Sequence, residues 1–355
     1  MLSTRELLEA LGDPKAAESF SAALGTPLLA VDVPDAASAA GLAALTGPGR
    51  WAVDIRALPC VLALVVPDPA VFTGAGHVPL LLGDVLLTEA PDAPRPYVAP
   101  AGGVRAALDA LTATAAANPI AASSFALLLR SAEGLDVPAG LVAESATYSA
   151  LQAGAEFARW RAGRPVRAAG PAADRVRIER EGDLLRVTMT RPARRNALDA
   201  PMRDALAEAF ALAVADPDAR LELRGEGPDF CAGGDLDEFG SRPDPALAHL
   251  TRLTRSPARL LHTAGARTTA HLHGACLGAG IELPAFASRI VAAPDTSIGL
   301  PEVSLGLVPG AGGTVSLPRR IGRQRTAWLG LSGHRVDADT AVRWGLVDDV
   351  ADHSG

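Results

Sequence analysis

The chain has 355 residues, 48% of them hydrophobic and 21% charged, enough to bury more than one core, so two domains are expected. A formal net charge of −7 and a pI near 5.5 argue against general affinity for nucleic acid or an anionic membrane, either of which favours a clustered basic face. Cys60, Cys231 and Cys276 form no CxxC pair and no metal-ligand spacing, which argues against a disulfide framework or a zinc site.

At the N-terminus, "STRELLEAL" sets Glu6 three residues after Ser3, ahead of leucines at helical spacing, the pattern of a capped amphipathic helix. No basic segment precedes an apolar core there, so it does not read as a signal peptide. The most apolar run, "CVLALVVPDPAVF", is broken by prolines well short of a membrane span, and a soluble, cytoplasmic protein is expected. "TPLLAVDV", "RWAVDI", "CVLALVV" and "GDVLLTEA" read as short strands, and the Ala- and Leu-rich stretch 102–162 as helical. Gly, Pro and Ala cluster without periodicity at 161–174, which predicts a domain break with domains at 1–165 and 175–355.

Beyond it, "DRVRIEREGDLLRVTMTRP" alternates apolar and polar residues on both sides of "EGD", predicting a hairpin. "DAPMRDALAEAFALAVAD" opens with an aspartate cap and a first-turn proline, predicting a helix. A strand at "ARLELRG", a helix over about 245–264 and a strand "TTAHLHGAC" running into a helix at "GAGIELPAF" complete the series. Strand, loop and helix in repetition predict an α/β fold whose chemistry collects in the loops.

Two glycine-rich loops follow strands, "FCAGGDL" and "GACLGAGIE". Small residues let a ligand approach the backbone and leave amides pointing outward, so two such loops aimed at one point make an oxyanion hole; each alone is equally a tight turn. Neither loop reads GxGxxG, "PGAGGT" lacks the Lys-Ser/Thr of a P-loop, and no GxSxG elbow is present. His271 and His273 would share one strand face, without a third metal ligand nearby.

Taken in order, "TRPARRNALD", "FCAGGDL", "HGACLGAGIEL", "DTSIGLPEVSLGLVPGAGGT" and "RIGRQRTAWLGLSGHRVDADTAVRWGLVDDV" resemble the crotonase, or enoyl-CoA hydratase/isomerase, superfamily over about 175–350. The resemblance implies a spiral of ββα units binding an acyl-CoA thioester, with coenzyme A entering only as part of the substrate and no metal or redox cofactor. It implies oxyanion donors at the Gly234 and Ala279 amides, where losing one donor typically costs about 3 kcal/mol of transition-state stabilisation. It also implies two catalytic acids, Glu282 and Glu302, for syn addition of water across a conjugated double bond. Two roles need two protonation states, so burial and a like charge should raise at least one pKa above the usual value of about 4.3. Ala232, Asp235, Leu236 and Gly310 are expected at the substrate. The family's usual basic residue after the first loop is replaced here by Asp237 and Glu238, leaving Arg194 and Arg195 as candidates for the CoA arm.

The family core continues past the "GLVDDV" strand with further helices that complete the acyl pocket. The phrase "LVAESATYSALQAGAEFARWRAGRP" (141–165) resembles those terminal helices, so the first domain is read as a degenerate crotonase-like half whose helices cover the site. The expected activity is enoyl-CoA hydration or the reverse dehydration, in a homo-oligomer, a trimer or dimer of trimers by resemblance. The alternatives are an isomerase or acyl-CoA hydrolase of the same superfamily, or a catalytically silent CoA-binding or assembly subunit.

Overall fold

Two compact units account for the chain in this computed structural model, which describes residues 1–46, 54–72, 82–164, 174–241 and 244–351. The first comprises Met1–Glu133, Val303–Val308 and Ile321–Gly333; the second Gly134–Glu302, Pro309–Arg320 and His334–Gly355. The division thus falls at Glu133–Gly134, before the expected break at 161–174, most of which lies outside the described residues. The physical reason is that the helix Val137–Gln152 packs against the helices Pro245–Thr254 and Pro257–Ala264 of the second unit.

In the first unit, β1 (Leu2–Ser3), β2 (Leu28–Asp32), β3 (Val61–Val65) and β4 (Val85–Leu87) form a parallel sheet in that order. All five residues of β3 are buried, as befits a central parallel strand covered on both faces. The N-terminal capping box forms: Glu6 N–H donates to Ser3 Oγ (3.2 Å) and Ser3 N–H to Glu6 Oε2 (2.7 Å). Of the strand expected at "RWAVDI", residues 50–53 lie outside the described residues, and Ile55–Ala57 is a 3-10 turn capped by Asp54.

The second unit opens with the expected hairpin of β5 (Val176–Glu181) and β6 (Leu184–Met189), turned by Gly182 at φ +60°. Then come β7 (Arg220–Gly225), β8 (Thr268–Leu272), β9 (Ala275–Leu277), β10 (Arg289–Ala292), β11 (Ser297–Gly299), β12 (Val336–Asp337) and β13 (Asp349–Val350). A six-stranded sheet has the order β13-β10-β8-β7-β6-β5, parallel except for the hairpin, and a three-stranded sheet the order β12-β11-β9. From β8 to β11 the chain alternates between the two sheets, so it advances as a spiral.

Two expected elements are each divided. "TTAHLHGAC" becomes β8 and β9, because Gly274 sits at φ +52° and a Cβ there would lie 2.1 Å from the Pro228 carbonyl oxygen. The helix over 245–264 breaks at Ser256, which caps a new helix through Arg259 N–H (3.2 Å) with Pro257 in the first turn. Among the described residues no single helix is long and apolar enough to cross a membrane.

Candidate active site

The two glycine-rich loops are joined backbone to backbone. Cys231 N–H donates to the Ala275 carbonyl (3.1 Å) and Leu277 N–H to the Cys231 carbonyl (3.0 Å). Gly280 lets them meet: a Cβ there would lie 2.2 Å from the Cys231 oxygen. On its other side the first loop is held by Leu198, whose N–H donates to the Gly233 carbonyl (2.8 Å) and whose carbonyl accepts from Asp235 N–H (2.9 Å). Those bonds fix the residues on either side of Gly234 and leave its own amide without an acceptor among the described residues. Ala279 opens a helical turn, Ala279–Glu282, so its amide has no acceptor either. The expected longer helix does not form; after this single turn Pro284–Phe286 is 3-10, so the second loop contributes amides rather than a macrodipole.

Glu282, at the end of that turn, and Glu302, at the start of the 3-10 turn after β11, are 2% and 6% exposed. They flank one residue, Gly278. At φ +49°, a Cβ on Gly278 would lie 2.1 Å from Glu302 Oε1, so glycine is needed for that carboxyl to approach, and 3.6 Å from Glu282 Oε1, an ordinary contact. Glu282 Oε2 accepts from the amides of Ala311 (2.8 Å) and Gly313 (2.9 Å). Glu302 Oε2 is buried with no hydrogen-bond partner. Burial pushes the Glu302 carboxyl up to about 8. Burial, then the charges of Glu302 and Glu144, raise Glu282 well above the ordinary range against the pull of its two amides.

Glu144 is a third buried acid, 2% exposed, on the helix Val137–Gln152. Its Oε1 accepts from Gly312 N–H (2.7 Å), and its Oε2 from the amide (2.8 Å) and hydroxyl (2.7 Å) of Thr314. Burial raises it to about 7 despite those bonds. One helical turn on, Tyr148 covers Gly310, where a Cβ would lie 2.6 Å from the ring, and Arg252 lies over the same ring at 4.5 Å. Glu144, Arg252, Leu198, Leu283, Gly310 and Gly312 are among the residues lining a cavity of about 70 Å³. Sequence reasoning did not single out Glu144, Tyr148 or Arg252. For Glu144 a signal existed: an acid between Leu141 and Tyr148 on the apolar face of a helix.

The expected CoA cations are already committed. Arg195 pairs with Asp229 (2.6 Å); Arg194 pairs with Asp237 and, at 3.4 Å, with Asp235. Buried Asp235 is itself bound to Arg191 at 2.7 Å, so it pins the loop rather than facing a ligand freely. Ala232 N–H donates to the Arg195 carbonyl (2.9 Å), tying the arginine segment to the first loop, and half-buried Leu236 follows Asp235 there. The two expected acids thus lie beside the two loops, while the pairing of the arginines comes from aspartates that local pattern does not connect to them.

A family model described as enoyl-CoA hydratase/isomerase matches residues 179–354. Mevalonyl-coenzyme A hydratase of Beauveria bassiana is 34% identical over 181 residues, covering 48% of this chain and 65% of the relative. 2,3-Dehydroadipyl-CoA hydratase of Escherichia coli is 35% identical over 174 residues, covering 49% and 68%. The chain thus spans about two thirds of the length of these curated relatives. A crystal structure of an enoyl-CoA hydratase from Thermoplasma volcanium is 36% identical with a TM-score of 0.47, covering 51% of this chain and 73% of that one.

Proposed function

Because the chain belongs to the enoyl-CoA hydratase/isomerase family, we propose that this site hydrates an enoyl-CoA thioester or dehydrates the corresponding 3-hydroxyacyl thioester. The observation that carries the reading is the pair of buried glutamates on either side of Gly278, next to two loop amides that lack acceptors. In this reading the thioester oxygen accepts from Gly234 and Ala279, which meet the charge that grows there as the enolate forms. Glu282 takes a proton from water as its oxygen bonds to the β-carbon, and Glu302 gives its proton to the α-carbon; exchange with solvent resets both acids.

The roles follow from compensation. Glu282 has two amide donors to hold a negative charge, whereas Oε2 of Glu302 has none, so the resting proton is assigned to Glu302. The cavity of about 70 Å³ beside Leu198 and Leu283 is the candidate acyl pocket.

Loss of enoyl thioester absorbance tests the reading, with a screen that begins from thioesters of the types named for the two hydratase relatives. Turnover should fall by about 10²–10⁴-fold in Glu302→Gln and fall strongly in Glu282→Gln while thioester binding persists. Double-bond migration without water uptake would make the protein an isomerase, and thiol release a hydrolase. Binding without any reaction would leave a silent CoA-binding subunit.

A further inference from the structure

Four consecutive amides, from Ala311 to Thr314, alternate between two carboxylates. Ala311 and Gly313 donate to Glu282 (2.8 and 2.9 Å); Gly312 and Thr314 donate to Glu144 (2.7 and 2.8 Å). Each acid therefore fixes every second peptide of one turn. The turn has little rigidity of its own, since two of its residues are glycines and Gly312 sits at φ +102°. It also touches the base directly: a Cβ on Gly313 would lie 2.6 Å from Glu282 Cγ. Both oxygens of Glu144 accept from donors of this turn. Its helix, Val137–Gln152, lies outside residues 179–354 that the family model matches.

We propose that Glu144 is a positioning residue for hydration: it clamps the 311–314 turn so that the interleaved amides hold the Glu282 carboxylate in its working orientation. The proposal rests on the hydration reading for its kinetic consequence. Removing the clamp leaves two buried amides without acceptors, and the turn relaxes to satisfy them at the expense of the bonds to Glu282. The groups that act on Glu144 are Arg252 from the helix Pro245–Thr254, Thr314 from the turn, and Glu282 and Glu302 as like charges.

Glu144→Gln keeps the size of the side chain and one acceptor, but turns an amino group toward a backbone N–H. The expected result is a kcat at least tenfold lower, a thioester KM changed less than threefold, and unchanged far-UV circular dichroism. A second readout is the titration of the Glu282 carboxyl, followed by carbon-13 NMR of labelled glutamates. Loss of amide donors moves its midpoint up, whereas mere removal of a neighbouring negative charge moves it down. A downward or absent shift, or wild-type kcat, overturns the proposal. If the wild type consumes no enoyl thioester, the hydration reading falls and the titration still decides the positioning. If Glu144→Gln does not fold, Thr314→Val, which removes one donor to Glu144, should show the same upward shift at smaller size, and no shift overturns the proposal.

Discussion

One buried carboxylate of the first unit and three of the second are compensated in opposite ways. In the first, Asp84 is 1% exposed and faces Arg130, whose Nε lies 2.7 Å away, with Arg323 at 3.6 Å and the Leu62 amide at 2.7 Å. Arg130 spends its other donors on the carbonyls of Leu58 (2.9 Å) and Cys60 (2.7 Å). Charge meets counter-charge, and removing either partner strands the other. In the second unit, Glu144, Glu282 and Glu302 are equally buried but make no ion pair among the described residues; backbone amides are their main compensation, and Glu302 Oε2 lacks even that. The first arrangement ties β3, β4 and the helix Pro119–Ser131 together. The second leaves a buried carboxyl oxygen without a donor, the environment that the proposed hydration asks of its acid.

Substitutions should separate the two clusters cleanly. The largest expected effect is on turnover: Glu302→Gln lowers kcat by about 10²–10⁴-fold, the usual worth of a general acid, without lowering the melting temperature. Asp84→Asn should do the reverse, costing about 3–5 kcal/mol of stability in chemical denaturation while the folded fraction keeps its specific activity. An Asp84 variant of full stability, or a Glu302 variant of full activity, breaks the contrast.

A pH series sharpens it further. A carboxyl that ionises near 4.5 when unfolded and near 8 when folded binds its proton more tightly in the native state. Its stabilisation is complete below about pH 4.5 and is lost as pH rises through about 8, so the melting temperature of the second unit should fall across that window, and Glu302→Gln should flatten the fall. The smallest effect is expected at Arg195→Gln. Its guanidinium is half exposed and already paired with Asp229, so stability should change by no more than about 1 kcal/mol and thioester KM by less than threefold. A tenfold rise in KM would show that the arginine leaves Asp229 for the substrate.

Much of this was legible in the chain itself. The Ser3–Glu6 capping box, the hairpin around Gly182, the helix capped by Asp199 and the order of strands and loops are local patterns, set by residues within a few positions of one another. The two glutamates and the two loops were legible for a different reason, as short phrases of a family resemblance. The breaks at Gly274 and Ser256 were not, because a continuous run of strand or helix formers conceals a single residue whose backbone conformation or cap ends the element.

What the sequence by itself determined, then, was which acids and amides are available and on which loops they lie. Only the tertiary structure decided which charges are compensated, because that depends on burial and on partners remote in sequence. Glu144 reaches Gly312 across 168 residues, while Arg195 is neutralised by Asp229, 34 positions away. No local pattern encodes such pairings, and they determine where a proton is held, where it can be given up, and which cations remain for a ligand.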